Sequence, residues 1–292
     1  MISVSGSGDT PIRIRTSGEP EKPAILLIHG YSQHSLCWKP VFDRLSDDFF
    51  LVAPDLRGHG ESGKPLDKSA YDNARVWAED VAAIIDQMNL KNPILVGWSM
   101  GGWVAQDYLR HFGGDALQGL VLIGTSLTTG KLMPPEAIAA RQGREDVAAR
   151  GMYSVDQAEN LHATLKFVRA CTQHPVADDA FALTVGFNML CPPHARHACR
   201  TRSEDYRSTT VAYEGPVWLV WGEADQMATP PMRQQAIDCL PAAQTTIYPD
   251  CGHTPFVEYP DLFARNLAEF AGARGRPDAA AIPDPQSVRP AG

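Results

Sequence analysis

The stretch "ILVGWSMGGWVAQDYL", residues 94–109, sets a lone serine between a short apolar run and a segment with helical periodicity. The run before Ser99 shows no alternation and suits a strand buried on both faces. After it, Met100, Val104, Tyr108 and Phe112 recur at the spacing of one helix face. A strand that feeds straight into a helix needs a tight turn, with the serine in a strained backbone conformation. Side chains two places before and after the serine would collide with neighbouring backbone, so positions 97 and 101 must be small; both are glycine. The turn is expected to lift the Ser99 hydroxyl above the carboxyl ends of the strands, where open α/β sheets bind ligands. The start of the following helix favours negative charge at the same place. A G-x-S-x-G match alone arises often in Gly-rich turns; the strand before it and the helix after it give it weight.

Working outward, "AILLIHG" (24–30), "FFLVAPD" (49–55), "PILVGWS" (93–99) and "GLVLIGTS" (119–126) are continuous apolar runs of strand length. "IRIRTSG" (12–18) alternates at period two and reads as an edge strand. Trp77, Val81, Ile84, Ile85 and Met88 mark a helix between two of these runs, with Asp72 or Asn73 as its cap. Strands alternating with helices predict a doubly wound, mostly parallel sheet. From about 127 to 213 only helical patterns appear, broken by prolines. Strand signals return in "PVWLVWGEAD" (216–225) and "AQTTIYPDCGH" (243–253), and a last helix is expected over about 261–270. The division that follows is a core in two parts, 1–126 and 214–271, a helical insertion at 127–213, and a disordered tail at 272–292 that is rich in Pro, Ala and Gly.

Composition narrows the function. The 292 residues carry 26 Lys and Arg against 34 Asp and Glu, a net charge of −8, which speaks against nucleic acid or an anionic membrane as partner. No run is long and apolar enough to span a bilayer, and the first residues lack the basic and apolar blocks of a signal peptide. Six cysteines without framework spacing read as reduced thiols, and the expected compartment is the cytoplasm.

A nucleophilic serine needs a base and an oxyanion hole. "CGHTPF" places His253 after the last strand-like run, and "WGEAD" places Asp225 just past the strand before it. The order Ser99, Asp225, His253 is the nucleophile–acid–base order of one family of hydrolases. "IHGYS" (28–32) ends an early strand, where the N–H of Tyr31 could serve as one oxyanion donor, with the N–H of Met100 as the second.

With "HGYS", "DLRGHGES" (55–62), "GWSMGG", "WGEAD" and "CGHTPFVE" in this order, the sequence resembles the α/β-hydrolase superfamily over nearly all of residues 24–270. It is most similar to the branch of small serine esterases and cofactor-free haloperoxidases. The resemblance implies an α/β-hydrolase fold, with 127–213 as a helical cap over the active site that sets substrate choice. Ser32 follows Tyr31 where perhydrolases of this branch tend to have proline, and "HGYSQH" is not the Gly-rich loop of the carbon–carbon bond hydrolases. Epoxide hydrolases and haloalkane dehalogenases of this fold carry aspartate at the elbow, where this chain has Ser99.

Other candidates have plainer readings. His29 and His59 read as loop braces, Asp55 as a cap that holds Arg57, and Asp250 as too close along the chain to His253 to be its acid. Cys191, His194, His197 and Cys199 crowd into one or two turns, unlike the distant ligand pairs of structural zinc sites, and read as a plain helix. The expected function is hydrolysis of small carboxylic esters or lactones with no metal or organic cofactor. The alternatives are a thioesterase, amidase or perhydrolase, and a ligand receptor that has lost turnover. The cap offers apolar side chains such as Leu132, Met133, Met152, Leu161, Leu165, Phe167, Phe181, Phe187 and Met189. Some are expected to pack the insertion onto the sheet and others to line a largely apolar pocket that prefers small uncharged esters or lactones to acyl-CoA thioesters.

Overall fold

Eight strands form one sheet in the order β1-β2-β4-β3-β5-β6-β7-β8 in the computed structural model, which describes residues 1–141 and 150–272. The strands are β1 (Ile2–Ser5), β2 (Pro11–Ser17), β3 (Ala24–Ile28), β4 (Phe50–Pro54), β5 (Ile94–Trp98), β6 (Gly119–Ile123), β7 (Val217–Gly222) and β8 (Gln244–Tyr248). β3 to β8 run parallel, and β1 and β2 are antiparallel additions at one end. Every residue of β3 to β7 is buried, as continuous apolar runs require of strands covered on both faces. β2 is not the edge strand its alternation suggested. The four-residue β1 pairs outside it, with Val4 opposite Ile12.

Each face of the sheet has its own core. On one, Trp77, Val81 and Ile84 of the helix Ala74–Gln87 pack with Val104 and Tyr108 of the helix Met100–Phe112. The first of these helices is capped by Asn73, which accepts from the Arg75 N–H at 3.0 Å. On the other face Trp38, Trp218, Phe256, Phe263 and Leu267 pack together, with contributions from the helices Lys39–Leu45 and Pro260–Gly272. The tail expected from 272 onward begins inside this last helix, and its residues 273–292 lie outside the described residues.

Between β6 and β7 the described elements are helical. They include Pro135–Arg141, Gln157–Arg169, Asp178–Met189, Pro193–Cys199 and Arg207–Val211. An isolated bridge between Thr128 and Asp205 closes the neck of this insertion. Below it, Arg202 donates to both Asp107 oxygens at 2.6–2.7 Å, and the Tyr206 hydroxyl donates to Asp107 at 2.8 Å. This buried pair fixes the insertion to the helix that follows Ser99. Among the described residues no helix is long and apolar enough to cross a membrane. All six cysteines are free thiols, and four are buried.

Candidate active site

Ser99 stands between β5 and its helix at φ 55° and ψ −118°, a region an L-residue enters only under strain. Three main-chain contacts hold it there. Its N–H donates to Ile123 O at 2.8 Å, and its carbonyl accepts from the Gly102 N–H at 2.9 Å and from the Thr125 hydroxyl at 2.5 Å. The flanking glycines are sterically forced. A Cβ on residue 97 would lie 2.5 Å from Gly102 Cα, and one on residue 101 would lie 2.6 Å from His29 O. The reason read from the sequence holds at both positions, since backbone passes where a side chain would stand.

The loop after β7 carries Asp225 and the loop after β8 carries His253, and parallel strands at neighbouring positions bring the two together. His253 Nδ1 is 2.7 Å from Asp225 Oδ2, and both residues are buried. The other Asp225 oxygen accepts from the N–H groups of Met227 and Ala228 at 2.7 and 2.9 Å. With Oδ1 occupied in this way, Oδ2 is left to accept the Nδ1 proton, which frees Nε2 as an acceptor. The histidine is also held through its main chain. Its N–H donates to Cys171 O at 2.8 Å, and its carbonyl accepts from the Trp98 indole at 2.9 Å. Asp250 is exposed and bonds the His174 ring at 2.9 Å, away from His253.

One cavity, about 40 Å³, collects these groups. Ser99, Met100, His253 and Tyr31 line it, together with Trp103, Thr125, Phe167 and Met227. A Cβ on Gly30 would come within 3.2 Å of Ser99 Cβ, so the loop after β3 passes directly beside the serine. Among the described residues the main-chain N–H groups of Tyr31 and Met100 have no protein acceptor. The loop's shape rests on two buried histidines. His29 Nε2 accepts from the Leu56 N–H at 3.0 Å and its Nδ1–H donates to Gly30 O at 2.8 Å. His59 Nε2 accepts from the Ser32 N–H at 3.1 Å and its Nδ1–H donates to Arg57 O at 2.8 Å. Burial lowers the His29 pKa to about 4 and pushes that of His59 well below the usual range, so both rings stay neutral. They brace the loop, as expected.

Several expectations need correction. Asp55 does not hold Arg57: it accepts from the Ser35 and Glu61 N–H groups at 2.8 and 2.9 Å. Arg57 pairs instead with Asp80, buried at 2.6 Å. Of the nine apolar insertion residues, expected partly to pack and partly to line the pocket, Phe167 alone lines the cavity among the described residues; Met152 and Phe187 are buried in packing, whereas Leu132 and Leu161 are exposed. Nor is the pocket simply apolar, because Arg141 and Arg200 line it too. In the helix Pro193–Cys199, His194 faces Pro65 O at 3.1 Å and His197 lies edge-on to Tyr153, so the two rings serve different neighbours.

Gly124 is a site residue that sequence reasoning missed. It follows β6 at φ 51°, and a Cβ there would lie 2.8 Å from His253 Nδ1 and 3.0 Å from Asp225 Oδ2. The glycine in "IGTS" at a strand end was the available signal.

Comparison with known proteins gives a consistent picture. The profile of the alpha/beta hydrolase family matches residues 25–266. An esterase from a Rhodococcus species is 31% identical, superposes with a TM-score of 0.85, and aligns over 94% of this chain and 99% of its own. A pimeloyl-[acyl-carrier protein] methyl ester esterase from Yersinia pseudotuberculosis is 26% identical over 270 residues, 88% of this chain and 95% of that protein. An enol-lactonase from Burkholderia xenovorans, 21% identical, shares the fold with a TM-score of 0.72 over 92% of this chain and 99% of its own.

Proposed function

The chain belongs to the alpha/beta hydrolase family, and from that premise we propose that it is a serine hydrolase of small carboxylic esters, lactones included. The observation that carries the reading is the strained Ser99 on a cavity shared with His253, whose Nδ1 is bonded to Asp225. Ser99 attacks the ester carbonyl while His253 takes its proton. Asp225 holds the ring in the tautomer that allows this and stabilises the imidazolium that forms. The N–H groups of Tyr31 and Met100 receive the developing oxyanion. Collapse of the tetrahedral intermediate expels the alcohol, protonated by His253, and leaves an acyl-enzyme. Water activated by the same histidine then releases the acid. The esterase relatives support ester cleavage over the other chemistries of the fold. The helical segment 127–213 is proposed as the cap over this site.

The test joins labelling to turnover. A fluorophosphonate probe should add its mass to the peptide containing Ser99. Ser99→Ala should lower turnover of p-nitrophenyl acetate by a factor on the order of 10^4 to 10^6. A folded Ser99→Ala protein that keeps a tenth of its activity, or label found only elsewhere, refutes the mechanism.

A further inference from the structure

Among the described residues the two arginines buried in the insertion, Arg196 and Arg202, both have protein partners. Arg202 is spent on Asp107. Arg196 donates to Asn160 Oδ1 at 2.7 Å, to Met152 O at 3.1 Å and to Asn188 O. Arg141, at the end of the helix Pro135–Arg141, and Arg200, just past the helix Pro193–Cys199, differ. Both line the cavity with Ser99 and His253, and among the described residues neither has a carboxylate within ion-pair distance. Arg141 reaches Met133 Sδ at 3.8 Å, and the Arg200 guanidinium lies over the Tyr31 ring at 5.5 Å. Asp225 attracts Arg141 from a distance, but its oxygens are taken by His253, Met227 and Ala228.

Two cations with no carboxylate partner among the described residues oppose each other in one small cavity. Burial first, then the charge of Arg200, draws the Arg141 guanidinium down to about 10. An anion between them would remove both penalties. We propose that the substrate is an ester bearing a carboxylate, gripped by Arg141 and Arg200 while its ester carbonyl meets Ser99. The inference rests on the serine-esterase reading above. Planar guanidinium forks match a carboxylate in geometry as well as in charge. The simplest substrate of this kind is the monoester of a short dicarboxylic acid. This reverses the preference for uncharged esters expected from the sequence.

The test compares monomethyl glutarate with its uncharged isostere, the methyl ester of glutaramic acid, by released methanol. Glutarate binding to Ser99→Ala, followed by calorimetry, reads the anion site without turnover. The carboxylate ester should be favoured in kcat/KM by about tenfold to a hundredfold, mostly through KM, as charge-assisted hydrogen bonds contribute. Arg141→Gln and Arg200→Gln should each reduce that ratio about tenfold, and the lysine variants should recover part of it. Because the ratio is taken within one protein, a general loss of folded enzyme cancels. A ratio near one in the wild type, or a ratio unmoved in both glutamine variants, overturns the proposal. Competition by inorganic phosphate equal to that by glutarate also overturns it, by assigning the site to phosphoryl groups. Hydrolysis of both esters alike with no glutarate binding sinks the anion site and leaves the esterase reading intact. Arginine-dependent glutarate binding with no ester hydrolysed does the reverse.

Discussion

Gly124→Ala is the most searching perturbation of the site, because it replaces neither the proposed nucleophile nor the proposed base. The new methyl would stand 2.8 Å from His253 Nδ1, where ordinary contacts begin near 3.4 Å. The ring, its Asp225 partner or the loop after β6 must therefore give by roughly half an ångström. The residue must also hold a positive φ with a side chain present, at about 1–2 kcal/mol. Misplacing a catalytic group by about 1 Å costs on the order of a hundredfold, so half that displacement corresponds to about tenfold. The expected result is a kcat for p-nitrophenyl acetate lowered about tenfold to a hundredfold, with KM little changed. Urea unfolding should show a stability loss of about 1–3 kcal/mol. In a Ser99→Ala background the same change should lower the residual rate no further, since the histidine then has no hydroxyl to deprotonate. A Gly124→Ala enzyme with wild-type kcat would mean that turnover does not depend on where His253 sits.

Two further outcomes follow from the site and its braces. Asp225→Asn should lower kcat by about 10^4 by favouring the wrong tautomer, whereas Asp250→Asn, at an exposed residue bonded to His174, should cost less than about threefold; the reverse order would show that the acid has been misassigned. His29 and His59 are held neutral by burial when folded but take up protons below about pH 6.5 when unfolded, so stability is present above that pH and lost as it falls toward the folded values. From about pH 7.5 to about pH 5.5 the unfolding free energy should drop by about 1–3 kcal/mol. The Asp107 carboxyl, raised to about 6 by burial against the pull of Arg202, offsets part of this below pH 6. A flat profile, or one unchanged in His29→Gln, refutes the assignment.

What could be read from the chain alone were features with few physical solutions. Gly97 and Gly101 were legible because a strand-to-helix turn around Ser99 leaves no room for alternatives. β3 to β7 were legible because a two-faced buried strand must be apolar throughout. β1 escaped because four residues with one buried side chain carry almost no pattern. Arg57 was given the wrong partner because Asp55 is near in sequence, while the true partner, Asp80, lies on a helix reached only after folding. Gly124 went unseen for the same reason: what forbids a side chain there is His253, far along the chain. The insertion was the least legible part. Short helices separated by prolines do not reveal which face meets the cavity, so Arg200 could not be told apart from Arg196 and Arg202.

The hydrogen bond from the His253 N–H to Cys171 O has a consequence for engineering. Cys171 lies just beyond the helix Gln157–Arg169, so the loop bearing His253 is fastened to the insertion by this main-chain bond and by the His174 ring on Asp250, and to β5 by the Trp98 indole. Lifting that corner of the insertion would drag the histidine with it. At Cys171 the fastening point is a carbonyl, which every amino acid possesses. A transplanted insertion can thus change the side chain at position 171, provided the chain there keeps its path and His174 is retained.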